Sequence, residues 1–590
     1  MTRLFRQALL LSMLVASGSL GVGCFTSSGG SGSADSGMED VAFDGFTADS
    51  TVPEEAAADA PLEAAVDSSV EATVDAPATT DSGTDSTTID AGADAPIDAA
   101  PDAPAIVSFY VNPATGSDTN DGSMGAPFQS IAHASQAMNT PDAGAGPFNL
   151  YLADGTYSAT NQPASGLQVS FTHTTFVHGS APGNVIILGQ GPLGAQEGLT
   201  FQQGGGVQNV LFRNTWYGVE AIHGTFSVSG CSFDGAGQGG YFAAFINDTV
   251  GTFDTTGVTL TNLTPATLGS VYVDNTARVS WIGGGVPLTG GGPGYNIVFM
   301  RGGAQLTIDN VNVTTFLGYF VVGYDQSQVT VTNSTITGSG WASGTGGLGT
   351  GGLIYLGASQ TGAPATSLTL TNTNITGTQG SVVAWELLAT TASMTFTATS
   401  SHLDNSTQAG IWVQGNVNTT VPIAITATGT TFNGNGLPAI YSPHATVSLK
   451  GAGSSVSNNG AGAAGLGQTP GGIVLTDATA ASSLTLRNTT VASNTGNLIL
   501  FNGTAASTLD LGTSASLGGN AFSGVTVGAG PLAAVNTSAL IAATAIGNTW
   551  IPNVQGANAS GQYTTPTTII GAASGQNVIQ LAGASIVMAP

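Results

Sequence analysis

Positive charge is almost missing from this chain. Seven Lys and Arg stand against 34 Asp and Glu in 590 residues, a formal net charge of -27. Phosphate binding needs clustered Lys and Arg, so nucleic acid and anionic membrane surfaces are excluded as partners. Cysteine is nearly absent too, at two residues, Cys24 and Cys231. That excludes a disulfide framework and a cysteine–histidine metal cluster. Cys231 is expected as a buried small apolar residue. Charge of either sign is sparse, at 7%. Solvent-facing helices usually carry many Lys, Glu and Arg, so a mainly helical surface is excluded. What is abundant is glycine, at 86 residues, with much Thr, Ser, Asn and Ala. That palette suits strands and tight turns.

Residues 1–24 carry Arg3 and Arg6, an apolar run from Ala8 to Ala16, then small residues ending in Cys24. This is the layout of an export signal, and the run is too short to span a membrane as a helix. The stretch Leu20-Gly21-Val22-Gly23-Cys24 resembles a bacterial lipobox, departing from it at Gly21, where an aliphatic is usual. The resemblance implies lipid attachment at Cys24. Phe25 rather than Asp follows the cysteine, which by analogy with such lipoproteins points to the outer membrane or cell surface. The alternative is plain secretion. Residues 25–105 hold 18 of the acidic residues and no Lys or Arg. Low hydrophobicity with high net charge cannot offset chain entropy, so a disordered tether is expected. As an ideal coil it would span about 50 Å.

Residues 106–158 are expected to open the folded part. Phe109-Tyr110-Val111-Asn112 comes first, followed by a loop with Asp118-Thr119-Asn120-Asp121-Gly122. Pro127-Phe128 opens a short amphipathic segment to Met138, and Leu150-Tyr151-Leu152 follows. This run resembles the uncharacterised entrance domain that begins pectin-lyase-like right-handed parallel β-helices. The resemblance implies a strand, a turn, a helix capping the end of the solenoid and the first coil, the cap hiding core and strand edges at an open solenoid end. Asp118, Asn120 and Asp121 offer oxygen ligands of the kind Ca²⁺ takes, although no bidentate Glu follows. The alternative is an Asn/Asp-Gly turn held by its own side chains. No other cofactor is expected.

From residue 207 one pattern recurs: apolar, any, apolar, any, then Asn, Gly or Ser, with an apolar residue three further on. Copies include Val210-Phe212-Asn214-Tyr217, Phe226-Val228-Gly230-Phe233, Leu306-Ile308-Asn310-Val313, Val329-Val331-Asn333-Ile336 and Leu368-Leu370-Asn372-Ile375. Phe396, Ile425 and Leu484 begin later ones. Period-two alternation means strands, and repeats of this length with turn residues between them mean stacked coils. The fold class is therefore all-β, a single-stranded parallel β-helix over 159–525, with further coils or a cap over 526–590. Asn and Gly at the corner tolerate the left-handed conformation a sharp turn needs, and stacked Asn can bond from coil to coil.

Two surfaces stand out. Thr330/Thr332, Thr369/Thr371, Thr397/Thr399 and Thr426/Thr428 are expected as two outward ladders, with Thr259/Thr261 as an earlier pair. Such arrays resemble ice-binding faces, but β-propensity alone explains them, and Asp309, Lys450 and Arg487 interrupt them. Trp385, Trp412 and Tyr441 fall 17, 16 and 16 residues after coil starts at 368, 396 and 425. They are expected to form one exposed row, with Tyr355 beside it and His402 and His444 nearby, suited to sugar rings. The alternative is packing beneath a loop. Glu386 and Asp404 are the candidate carboxylate pair for glycoside cleavage. Asp274, Arg278 and Arg301 could form a second polar group. After the signal only Arg213, Arg278, Arg301, Lys450 and Arg487 remain as strong cations, and the Gly-His-Gly and Arg-x-Lys runs of β-helix hydrolases are absent. The expected function is a surface-anchored module, monomeric, that binds polysaccharide or another envelope component without catalysis. The alternatives are a polysaccharide lyase or glycoside hydrolase of atypical motif, and a structural or adhesive stalk.

Overall fold

Alternating apolar residues set the architecture. The computed structural model describes residues 106–588, apart from inter-strand segments of which the longest are 338–351, 524–532 and 552–576. Residues 1–105, which include Cys24, the export signal and the tether, lie outside the described residues. The strands form a 25-stranded, a 15-stranded and a five-stranded sheet. Each strand pairs in parallel with its counterpart one coil away. This is a parallel β-helix. Inward positions repeat from coil to coil: Val321, Ile354, Val383, Ile411, Ile440, Ile473 and Ile499 align in register and are all buried. Burying each such side chain stabilises the fold by roughly 1.5–3 kcal/mol.

At the entrance, the helix Ile131–Met138 lays Ile131, Ala134, Ser135 and Met138 against the bore. That spacing puts all four on one face. Its first turn is capped by Ser130, whose Oγ accepts from His133 N at 3.1 Å. Asp118 supports the cap: its carboxylate accepts from Gln129 N, Ser130 N and Ser130 Oγ at 2.8–3.0 Å. Asn120 donates to the Pro127 carbonyl, and Asp121 accepts from Ser123 N. The three side chains proposed for Ca²⁺ therefore turn to separate partners, Asp118 to the start of the helix and Asn120 and Asp121 to the loop's own backbone. Among the described residues no group of three or more His, Cys, Asp or Glu gathers closely enough to hold a metal.

The corners turn as the side chains require. Asn310, Asn333, Asn372, Ser400, Gly429 and Asn488 all have φ between 48° and 57°. Asn372 Nδ2 donates to Asn333 Oδ1, and Asn333 Nδ2 to Asp309 Oδ1, both at 2.9 Å. A second, fully buried ladder was not anticipated. Asn435 Nδ2 donates to Asn459 Oδ1 at 3.0 Å, and Asn459 Nδ2 to Asn494 Oδ1 at 2.9 Å.

Three details of the repeat differ from the sequence-based expectation. Val210–Arg213 belongs to the five-stranded sheet, with Phe212 opposite Phe233. Both Asn209 and Asn214 have positive φ, so the motif fits either corner of a coil. Thr259 and Thr261 likewise pair with Ser232 and Asp234 in that sheet, away from the threonine ladders. The later threonines do pair in register from Thr330 to Thr426 and from Thr332 to Thr428. Between Ile425 and Leu484 lies a hidden coil, Val447–Leu449. A register shift between Lys450 and Ser454 breaks its corner spacing. Parallel strands continue beyond 525 to Val587–Met588. Cys231 is buried, and burial pushes its thiol up to about 12.

Candidate functional site

The outward face of the 15-stranded sheet brings several aromatic residues and a carboxylate together. Two adjacent columns run along it. One is Tyr272, Phe299, Val322, Tyr355, Ala384, Trp412 and Tyr441. In the other, Tyr324, Gly357, Glu386 and Gln414 follow one another in register.

Trp385 does not belong to this face. It pairs with Val413, one position from Trp412, and is 1% exposed within the bore. A one-residue step along a strand reverses the side chain's direction, so offsets of 17 and 16 residues mean opposite faces. Trp412 and Tyr441 do align, with rings stacked at 4.1 Å and 9°. Their faces cover each other, and Trp412 packs with Ala409, Leu437 and Ala463 at 4% exposure. The expected exposed row of three rings is thus a core residue plus a closed stack. Tyr355 is in the Trp412 column, separated from it by Ala384.

Tyr355 reaches Glu386. Its Oη donates to Glu386 Oε2, while Tyr319 and Tyr324 each lie 5.8 Å from the Tyr355 ring, edge-on. Gly357 makes room: a Cβ there would sit 2.7 Å from Tyr324 Cδ1. Burial among these phenols raises the Glu386 carboxyl above its ordinary value, opposed by a hydrogen bond from Gln414. Burial, with Tyr324 and Glu386 adding negative charge, pushes Tyr319 up to about 12. The cluster therefore presents neutral phenols and a carboxyl that keeps its proton longer than usual.

Further along the face, Arg301 grips Asp274 with two bonds of 3.0 Å. Asp274 also accepts from Tyr272 Oη at 3.0 Å, and Arg301 lies 5.4 Å over the Tyr272 ring. Arg278, grouped with this pair from the sequence, is in a different sheet and exposed. Asp404 and His402 are also on another sheet from Glu386. Asp404 accepts from Thr431 Oγ1 and Asn433 N, and His402 Nδ1 lies 2.8 Å from Thr431 Oγ1. Glu386 and Asp404 therefore do not flank a common bond, and His444 is buried at a coil corner. The sequence reading missed Tyr319, Tyr324 and Gln414. Tyr324, two residues after Val322 and so on the face that Tyr355 shares, was the available signal; Tyr319 lies on the opposite parity from Tyr324, so alternation alone gave no sign of it.

No protein-family model matches the chain, and no curated protein matches it. Solved structures with a similar backbone course include the catalytic domain of a GH87 alpha-1,3-glucanase in complex with nigerose (11% identity, TM-score 0.35, 62% of this chain and 66% of that one). Another is the A-module of the Azotobacter vinelandii mannuronan C-5 epimerase AlgE6 (13%, 0.28, 70% and 94%). A mannuronic acid-specific polysaccharide family 6 lyase from human gut microbiota is a third (12%, 0.24, 74% and 91%). The chain spans 63–66% of the glucanase domains' length.

Proposed function

We propose that the β-helix is a glycan-binding module, and that Tyr319, Tyr324, Tyr355, Glu386 and Gln414 form its contact site. The observation that carries this reading is the cluster itself: three phenols around a half-buried carboxyl on an outward sheet face, where the core needs none of them. Phenols bring an apolar edge and a hydroxyl together, which matches the alternation of C–H and O–H on a sugar. Glu386 already accepts from Tyr355 Oη, and its remaining lone pairs can accept from a sugar hydroxyl. The module is exported, anchored through lipid on Cys24 at the outer membrane or cell surface, and carried on the acidic tether 25–105. Its partner is polysaccharide or another envelope component, met by a single copy of the chain.

One observation favours a second reading, a lyase or glycoside hydrolase: the raised Glu386 carboxyl beside Tyr355 is the pairing that acid–base chemistry uses. Incubating the full chain with an array of plant, algal and bacterial polysaccharides separates the two. Retention of uncut glycan, weakened at least ~10-fold by Tyr324→Ala and Glu386→Gln, is the expected result. Shortened chains that disappear in Glu386→Gln would replace binding with catalysis. Retention untouched by both variants would remove this face from the function.

A further inference from the structure

A second site lies at the entrance, on the outward face of the 25-stranded sheet, away from the Glu386 cluster. Tyr110, Tyr151, His178 and Gln208 come from four successive coils and align in register. Their neighbours in the strands, Val111, Leu150, Leu152 and Val177, point inward and fill the bore. The outward row is therefore not needed for the core. Its rings nevertheless stack: Tyr110 to Tyr151 at 5.1 Å and 19°, Tyr151 to His178 at 5.0 Å and 21°. His178 Nε2 is held 3.0 Å from Asn149 Oδ1, and Nδ1 lies 3.4 Å from Gln208 Oε1.

Beside this row the chain leaves an open cleft of about 580 Å³, lined also by Met124 and Asn112. That volume is in the range of small-ligand sites. Among the described residues, six large apolar side chains stay exposed, and two of them, Met124 at 78% and Tyr151 at 36%, line this one cleft. Because neighbouring rungs cover each other's ring faces, the row offers phenol oxygens, ring edges and amides rather than a bare stacking platform. Such groups recognise hydroxyls by hydrogen bonds, with Met124 and the ring edges meeting C–H surface. No Asp, Glu, Lys or Arg is among the lining residues. An anionic sugar would find no Lys or Arg to pair with its carboxylate, only the His178 imidazole already engaged by Asn149 and Gln208, on a chain of net charge -27.

From this we infer that the entrance cleft is a binding site for a neutral oligosaccharide, separate from the Glu386 face. The test is calorimetric titration of the full chain with cellohexaose, xylohexaose, laminarihexaose and maltohexaose, and with an oligogalacturonate as the acidic comparison. At least one neutral oligosaccharide is expected to bind, and Tyr151→Ala to weaken it at least ~10-fold. Met124→Ala, at a side chain too exposed to support folding, is expected to weaken it several-fold with an unchanged circular dichroism spectrum. Tyr324→Ala is expected to leave this binding intact, so loss there with retention in Tyr151→Ala would overturn the cleft while sparing the other site. Preference for the oligogalacturonate, or no binding by any neutral oligosaccharide, would also overturn it.

Discussion

Replacing Trp385 tests whether this chain is read in the right register. The side chain is 1% exposed, between Leu356 and Val413 of the adjacent coils. It meets Phe396 edge-on at 6.2 Å and 82°. Truncation to alanine removes this packing and leaves a cavity the stacked coils cannot close, at a cost of about 3–5 kcal/mol. The indole Nε1 adds a second term. It finds no acceptor among the described residues, and a buried unsatisfied N–H costs roughly 1–3 kcal/mol. Trp385→Phe deletes that donor while keeping most of the ring, so it is expected to cost less than about 2 kcal/mol. Urea unfolding followed by circular dichroism, with the three proteins side by side, gives the order wild type, Phe, Ala. Glycan binding by the folded Phe variant should equal wild type. A stable Trp385→Ala protein that has lost glycan binding would refute the register, because it would put the indole on the outside.

Glu386 gives a pH signature. Folding raises its carboxyl above the ordinary value, so the folded chain holds the proton more tightly than the unfolded chain. The stability from this protonation is full below the ordinary carboxylate value and is lost as pH rises through the raised one. Glu386→Gln carries no such titration, so its melting temperature relative to wild type should rise from about pH 4 to about pH 8; a pH-independent difference would contradict the burial assigned to this carboxyl. Asn459 is the second case. It accepts from Asn435 N and Nδ2, and donates to the Phe432 carbonyl and Asn494 Oδ1, at 2.8–3.0 Å. Asn459→Ala strands these buried groups and should cost about 3 kcal/mol. Asn372→Gly, at an exposed corner with φ of 49°, should cost less than about 1 kcal/mol. Equal losses in urea unfolding would show that the buried ladder is no stronger than the exterior one.

The architecture was legible because it rests on a property every coil repeats. Alternation at Leu368/Leu370, Phe396/Ala398 and Ile425/Ala427 announces strands, and an Asn, Ser or Gly two residues later announces a left-handed corner. Both depend on residue type alone. The hidden coil at Val447 was lost because Gly451 and Gly453 lengthen its corner and displace Val456. The Val210 copy was placed at the wrong corner because two corners of one coil use the same turn chemistry.

The site was much less legible, and the reason is parity. Whether a residue lines the bore or meets solvent turns on a single position, so counting to within one residue from a coil start loses all information about the face. Trp385 and Glu386 are neighbours in sequence, yet one is core and the other surface. Column membership carries the chemistry, and it is fixed by pairing between coils of unequal length: Val329 to Leu368 takes 39 residues, Leu368 to Phe396 only 28. The strands before and after the extra residues stay in register. That is why Tyr319 and Tyr324 meet Tyr355 across a long insertion, and why Asp404, closer in sequence to Glu386 than either of them, ends on a different sheet. In a β-helix, proximity along the chain is a weak guide to a shared site, whereas equal offset from the inward apolar pair of each coil is a strong one. By that rule the residues to align with Glu386 are Gln414 and Tyr324, and for Tyr151 they are Tyr110, His178 and Gln208.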